Sequence, residues 1–159
     1  MSTSTSMASR ETAVVADVPK GLWIGGGTTA ATDKAVLPVH DPSTGETLTE
    51  VADASPADGV AALDVAVATQ ESWAASAPRE RGEILRRAFE LMTARAYDLA
   101  LLMTLEMGKP LVESRGEVTY AAEFFRWFSE EAVRISGRWS TSPDGATRLM
   151  TMKRPVGPT

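Results

Sequence analysis

The chain has 159 residues, a mass of 16.9 kDa and a formal charge of −5; that is one domain or a piece of a larger one, and it argues against nucleic acid as the main partner, because phosphate binding needs basic patches. There is no cysteine and a single histidine, His40, which excludes disulfides, thiolate metal sites and a cysteine nucleophile within the chain and leaves too few parts for a histidine metal cluster or a Ser-His-Asp triad. Apolar residues reach 43%, enough for a core, yet no apolar run approaches the ~18 residues of a membrane span.

Residues 1–18 are rich in Ser, Thr and Ala, and Arg10 with Glu11 interrupts any secretory apolar stretch. Their composition predicts a disordered tail, and the lack of cysteine and of a signal predicts a cytoplasmic protein. Gly21 to Gly25 is a short strand-like run stopped by Gly25-Gly26-Gly27. Those glycines lack the Gly-x-Gly-x-x-Gly spacing and a following helix, so a turn is favoured over a phosphate loop. Ala35 to Val39 and Glu46 to Val51 are strand patterns flanking Asp41-Pro42-Ser43-Thr44-Gly45, a dense turn signal, and together they predict a hairpin. His40, beside that turn, reads as a hydrogen-bonded structural residue.

Helical signals follow. Ser55-Pro56-Ala57-Asp58 offers an N-cap, a first-turn proline and an acid three residues on, and Val60, Leu63, Val67 and Ala74 recur at helical spacing. A second helix is predicted from about Arg79 to Ala94 with Ile84, Leu85, Ala88, Leu91 and Met92 as its apolar stripe. A third runs from about Tyr97 to Met107, closed by Gly108. Lys109 at the next helix start admits an anion-binding reading, but a plain helix–helix corner is favoured. The fourth helix, about Pro110 to Ile135, carries five aromatics between Tyr120 and Phe128. Tyr120, Phe124, Trp127 and Phe128 share a face, which reads as core or as the wall of a channel for a small organic substrate. Glu123–Arg126 and Glu130–Arg134 lie at pairing distance. Residues 137–141 and 147–153 predict a second hairpin around Ser142-Pro143-Asp144-Gly145. No complete catalytic constellation is present.

In order, several segments resemble one family. Val39-His40-Asp41-Pro42-Ser43-Thr44-Gly45-Glu46 is similar to the "NPxTGE" turn near the start of aldehyde dehydrogenases, and Glu106-Met107-Gly108-Lys109-Pro110 to their "ExGKP" corner. Gly116-Glu117-Val118 and the stretch from Phe124 to Gly137 resemble the helix that follows, and Arg154-Pro155-Val156-Gly157 the "xPxGV" strand entering the cofactor domain. The likeness covers about Leu22 to Pro158. Trp127-Phe128-Ser129-Glu130-Glu131-Ala132 looks most like the succinate-semialdehyde type.

The resemblance implies an α/β fold of which this chain is the N-terminal part, mostly helical with two small β-hairpins. It implies three stretches: the tail 1–18, a strand hairpin with helical scaffold over 19–136, and a protruding oligomerisation hairpin over 137–159 that ends before the dinucleotide-binding core. Family members are about three times longer and carry their cysteine nucleophile, catalytic glutamate and nicotinamide site downstream. The expectation is therefore a part of an enzyme that oxidises an aldehyde, succinate semialdehyde by the subtype resemblance, with NAD or NADP. Alone, the chain is expected to be inactive and to bind neither cofactor. Tyr120, Phe124 and Trp127 fall where the family walls its substrate tunnel. Val39, His40 and Glu106 match positions that hold a monovalent cation in some members. The 137–154 hairpin implies a homo-oligomer. The competing expectation is a non-catalytic helical interaction module that keeps the family scaffold and buries its own aromatic stripe.

Overall fold

Among the described residues, 2–159 of a computed structural model, there are five α-helices, four of them consecutive, and three separate two-stranded antiparallel ladders. The order is α1 (Ser2–Asp17), β1 (Leu22–Ile24), β2 (Gly27–Thr29), β3 (Val36–His40), β4 (Thr47–Ala52), α2 (Pro56–Ala75), α3 (Pro78–Ala94), α4 (Ala96–Met107), α5 (Leu111–Glu131), a 3-10 turn (Ala132–Arg134), β5 (Arg138–Thr141) and β6 (Arg148–Thr151). Both expected hairpins form, as β3–β4 and β5–β6. A third, β1–β2, was not foreseen. It turns on Gly25 and Gly26 at φ 64° and 80°, the pair of positive φ angles that a tight two-residue hairpin needs.

The tail expected to be disordered is instead helical. Ser2–Asp17 contains neither Gly nor Pro, and α1 stops two residues before Pro19. It packs on α4, with the Arg10 guanidinium on Asp98 at 2.7 Å and over the Tyr97 ring at 4.4 Å. Tertiary contact here outweighs a composition that favours disorder.

The predicted cap is present in full. Ser55 caps α2, with its hydroxyl accepting from the Asp58 amide at 3.3 Å while the Asp58 carboxylate accepts from the Ser55 amide at 2.9 Å. Asp58 also accepts from the Thr32 hydroxyl at 2.5 Å and the Thr32 amide at 3.2 Å. One buried carboxylate thus ties the loop after β2 to the start of α2. These donors, the Thr32 hydroxyl first and the Ser55 hydroxyl next, hold its carboxyl at about 2, below the ordinary 3.8, although burial pushes the other way.

The helical layer is built on α5, against which α3 and α4 pack. Its buried line is Ser114, Val118 and Ala122, and Ala132 continues it in the 3-10 turn. Small side chains let the helices approach. A Cβ on Gly82 of α3 would stand 2.7 Å from the Ser129 carbonyl oxygen. Thr104 of α4 and Ser114 of α5 share a hydroxyl–hydroxyl bond of 3.0 Å in the seam. Ala100 and Leu101 complete that core from α4. Gly108 ends α4 at φ 70°, and a Cβ there would meet the Pro42 ring at 3.1 Å. The β3–β4 turn is therefore seated on the α4–α5 corner.

The core is thin for the length of chain. Accessible surface totals 11680 Å², whereas a compact monomer of this mass exposes about 7,700 Å². Much of the excess is apolar. Val60, Leu63 and Val67, the predicted stripe of α2, are exposed, as is Ile84 of α3.

Candidate functional site

The aromatic face of α5 follows from helical geometry. Tyr120, Phe124 and Trp127 fall within one narrow arc at 100° per residue, and the buried line through Val118 and Ala122 occupies the far side. The three are 67%, 47% and 64% exposed. Tyr120 and Phe124 meet edge to face, with centroids 4.9 Å apart and planes at 85°, an arrangement that fixes both rings on an otherwise open surface. The structure therefore brings together the three residues named for the tunnel wall, and it leaves their outer surface bare. It also shows why the aromatics are not the core: the close approach at Gly82 admits only small side chains on the packed side.

Three ion pairs lie around this face. Glu123 and Arg126 meet at 2.7 Å. Arg134 pairs with Glu131 at 2.7 Å rather than with Glu130, because the chain tightens into the 3-10 turn after Glu131. Lys109, read from sequence as a possible anion ligand, pairs with Glu117 one helical stretch further along α5.

Sequence reasoning missed an apolar cleft of about 410 Å³ between the end of α2, α3 and the end of α5. Trp73, Ile84, Leu85, Phe128, Ala132 and Ile135 line it. Its residues come from three segments, so no single periodicity announces it; the unused Trp73 at the end of α2 was the available signal.

Val39 and His40 end β3, and Glu106 lies one residue from the end of α4. The Pro42–Gly108 contact brings their two neighbourhoods together. The His40 Nδ1 shares a 3.3 Å hydrogen bond with the Thr47 hydroxyl across the hairpin. Among the described residues, no group of three or more His, Cys, Asp or Glu side chains is placed to hold a metal ion. A cation here would have to rely on backbone carbonyls and the Glu106 carboxylate.

Residues 28–159 match the aldehyde dehydrogenase family. The chain belongs to that family. The likeness to individual members is close: this aldehyde dehydrogenase chain is 61% identical over 111 residues to a succinate-semialdehyde dehydrogenase of Paenarthrobacter nicotinovorans, covering 70% of this chain and 25% of that one. It is 42% identical over 141 residues to succinate-semialdehyde dehydrogenase [NADP(+)] 1 of Schizosaccharomyces pombe, covering 89% and 28%. The crystal structure of succinate-semialdehyde dehydrogenase from Burkholderia pseudomallei superposes with a TM-score of 0.80 at 42% identity, over 84% of this chain and 28% of that one. The chain thus spans about a quarter of the length of the relatives it matches. The aldehyde dehydrogenase fold, seen here as a mostly helical part with short antiparallel ladders, agrees with the sequence expectation. Among the described residues, no helix is long and apolar enough to cross a membrane.

Proposed function

We propose that this chain serves as the N-terminal scaffold of an enzyme that oxidises succinate semialdehyde to its acid with NAD or NADP. The substrate reading rests on the names of the similar proteins, and NADP on the name of the fission yeast one. The observation that carries the scaffold role is the uncovered aromatic face of α5, set in a surface far larger than a self-contained chain of this mass exposes. An interaction module complete in itself would bury that stripe, and this chain does not.

In such an enzyme a cysteine thiolate adds to the aldehyde, hydride passes to the nicotinamide, and water releases the acid. This chain has no cysteine, so the thiolate is not among its own side chains. Its part is shape. Tyr120, Phe124 and Trp127 would wall the path of the aldehyde and exclude water from it. The β5–β6 hairpin is exposed along both strands and offers open ladder edges, which supports a role for residues 137–154 in joining subunits of a homo-oligomer. The seating of the β3–β4 turn on the α4–α5 corner supports Val39, His40 and Glu106 as surroundings of a monovalent cation. The three stretches 1–18, 19–136 and 137–159 then divide into an outer helix, the scaffold and the contact hairpin.

The test is to capture the native protein from its source cells with an antibody raised to residues 79–95, then assay it. Reduction of NAD or NADP that depends on succinate semialdehyde supports the reading. Captured protein without such activity, in a preparation that retains its native size, overturns it. The 159-residue chain expressed by itself should show no activity in the same assay.

A further inference from the structure

We infer that α1 is a detachable strap, held over α4 chiefly by exposed ionic contacts and released as salt screens them. From Met7 onward α1 buries no side chain fully; Glu11, Val14 and Val15 are half-buried at most. The grip lies elsewhere. Arg10 contacts Asp98 through Nε at 3.0 Å and Nη2 at 2.7 Å, and its guanidinium caps the Tyr97 ring. At the C-terminal end of the helix, seven residues on, Arg95 Nη2 reaches Asp17 at 2.6 Å. All four charged side chains are more than a third exposed. One pair holds α1 at its middle and the other at its C-terminal residue, so both must hold for the second half of the helix to lie flat along α4.

Under the strap lies a cleft lined by Val14, Val18, Leu99 and Leu102. Its thin apolar contact cannot by itself match the cost of ordering a 16-residue helix, which is marginal when isolated in water. Exposed ion pairs are weak and salt-sensitive, and the screening length falls from about 10 Å at 0.1 M to about 3 Å at 1 M salt. Release uncovers Tyr97, Leu99 and Leu102 on α4 while the α4–α5 seam stays closed, because buried Ala100 and Leu101 do not line the cleft under the strap and Thr104 is bonded to Ser114 across the seam. The strap stands independently of the chemistry proposed above.

Backbone hydrogen exchange of the full chain tests this directly. Between 20 mM and 1 M NaCl, the amides of residues 8–17 should exchange about fivefold faster, the loss of two surface pairs, while those of α5 hold steady. Arg10→Gln and Arg95→Gln should each give fast exchange in α1 at low salt and blunt the salt response. The swap of Arg10→Asp with Asp98→Arg should restore protection. Exchange in α1 that ignores salt, or that always matches α5, overturns the inference; the first means an apolar dock or no dock at all, the second a single cooperative unit.

Discussion

Asp58 joins two separate segments of this fold. It closes the capping box of α2 and receives both donors of Thr32. Its carboxyl is held at about 2, against an ordinary value of 3.8. A depressed folded value means that the ionised form is favoured by folding. The stabilisation is present above about pH 4 and is lost as the pH falls towards 2. Urea melts taken from pH 7 to pH 2 should show this loss, and Asp58→Asn should lower stability at pH 7 and flatten the acid limb in that window. Ser55→Ala removes one cap and should cost about 1 kcal/mol. At the aromatic face the expectation is the reverse. Tyr120 and Trp127 are exposed, so Trp127→Ala should shift the stability of the isolated chain by no more than about 0.5 kcal/mol. In the full-length enzyme the same change should raise KM for succinate semialdehyde about tenfold or more, the effect of losing an apolar wall. An unchanged KM would remove Trp127 from the path of the substrate.

At the scale of elements, the glycines at helix contacts set the spacing. Gly82→Ala drives a methyl group into the Ser129 carbonyl and should destabilise by about 1–3 kcal/mol, read as a lower urea midpoint. Gly108→Ala combines a left-handed backbone with contact on Pro42 and should cost about 1–2 kcal/mol. Much of this level was legible in the residues. Ser55-Pro56 and Asp58 announced the start of α2, and Gly108 the end of α4. The dense turn at Asp41 to Gly45 announced β3–β4. Three features were not legible, each for a physical reason. The β1–β2 ladder has strands of three residues, too short for alternation to register. The helix α1 depends on ionic contacts with residues more than seventy positions away. The packed side of α5 is lined by Ser114, Val118 and Ala122, and periodicity favours large aromatics over small residues when it assigns a core. The aromatic stripe was found correctly as a group, but only the partner helices decide which way it faces.

At the scale of the whole molecule, the exposed surface dominates. A chain of this mass that exposes 11680 Å², with Val60, Leu63, Val67, Trp73 and Trp127 in the open, should bind a hydrophobic dye and tend to aggregate when alone. A dye-silent monomer with a sharp cooperative melt would contradict that. NAD and NADP should leave its melting temperature unchanged, and a saturable shift with either would place a cofactor site within these 159 residues. The cation, tunnel and oligomer readings all depend on a further body that covers this surface. The central claim is that the chain works as one part of a longer dehydrogenase, and the size of the native protein tests it most directly. A denaturing blot of source-cell lysate, probed with antibody to residues 79–95, should show a band about three times the 16.9 kDa of this chain. A single band at 16.9 kDa would contradict the account and leave a self-standing interaction module in its place.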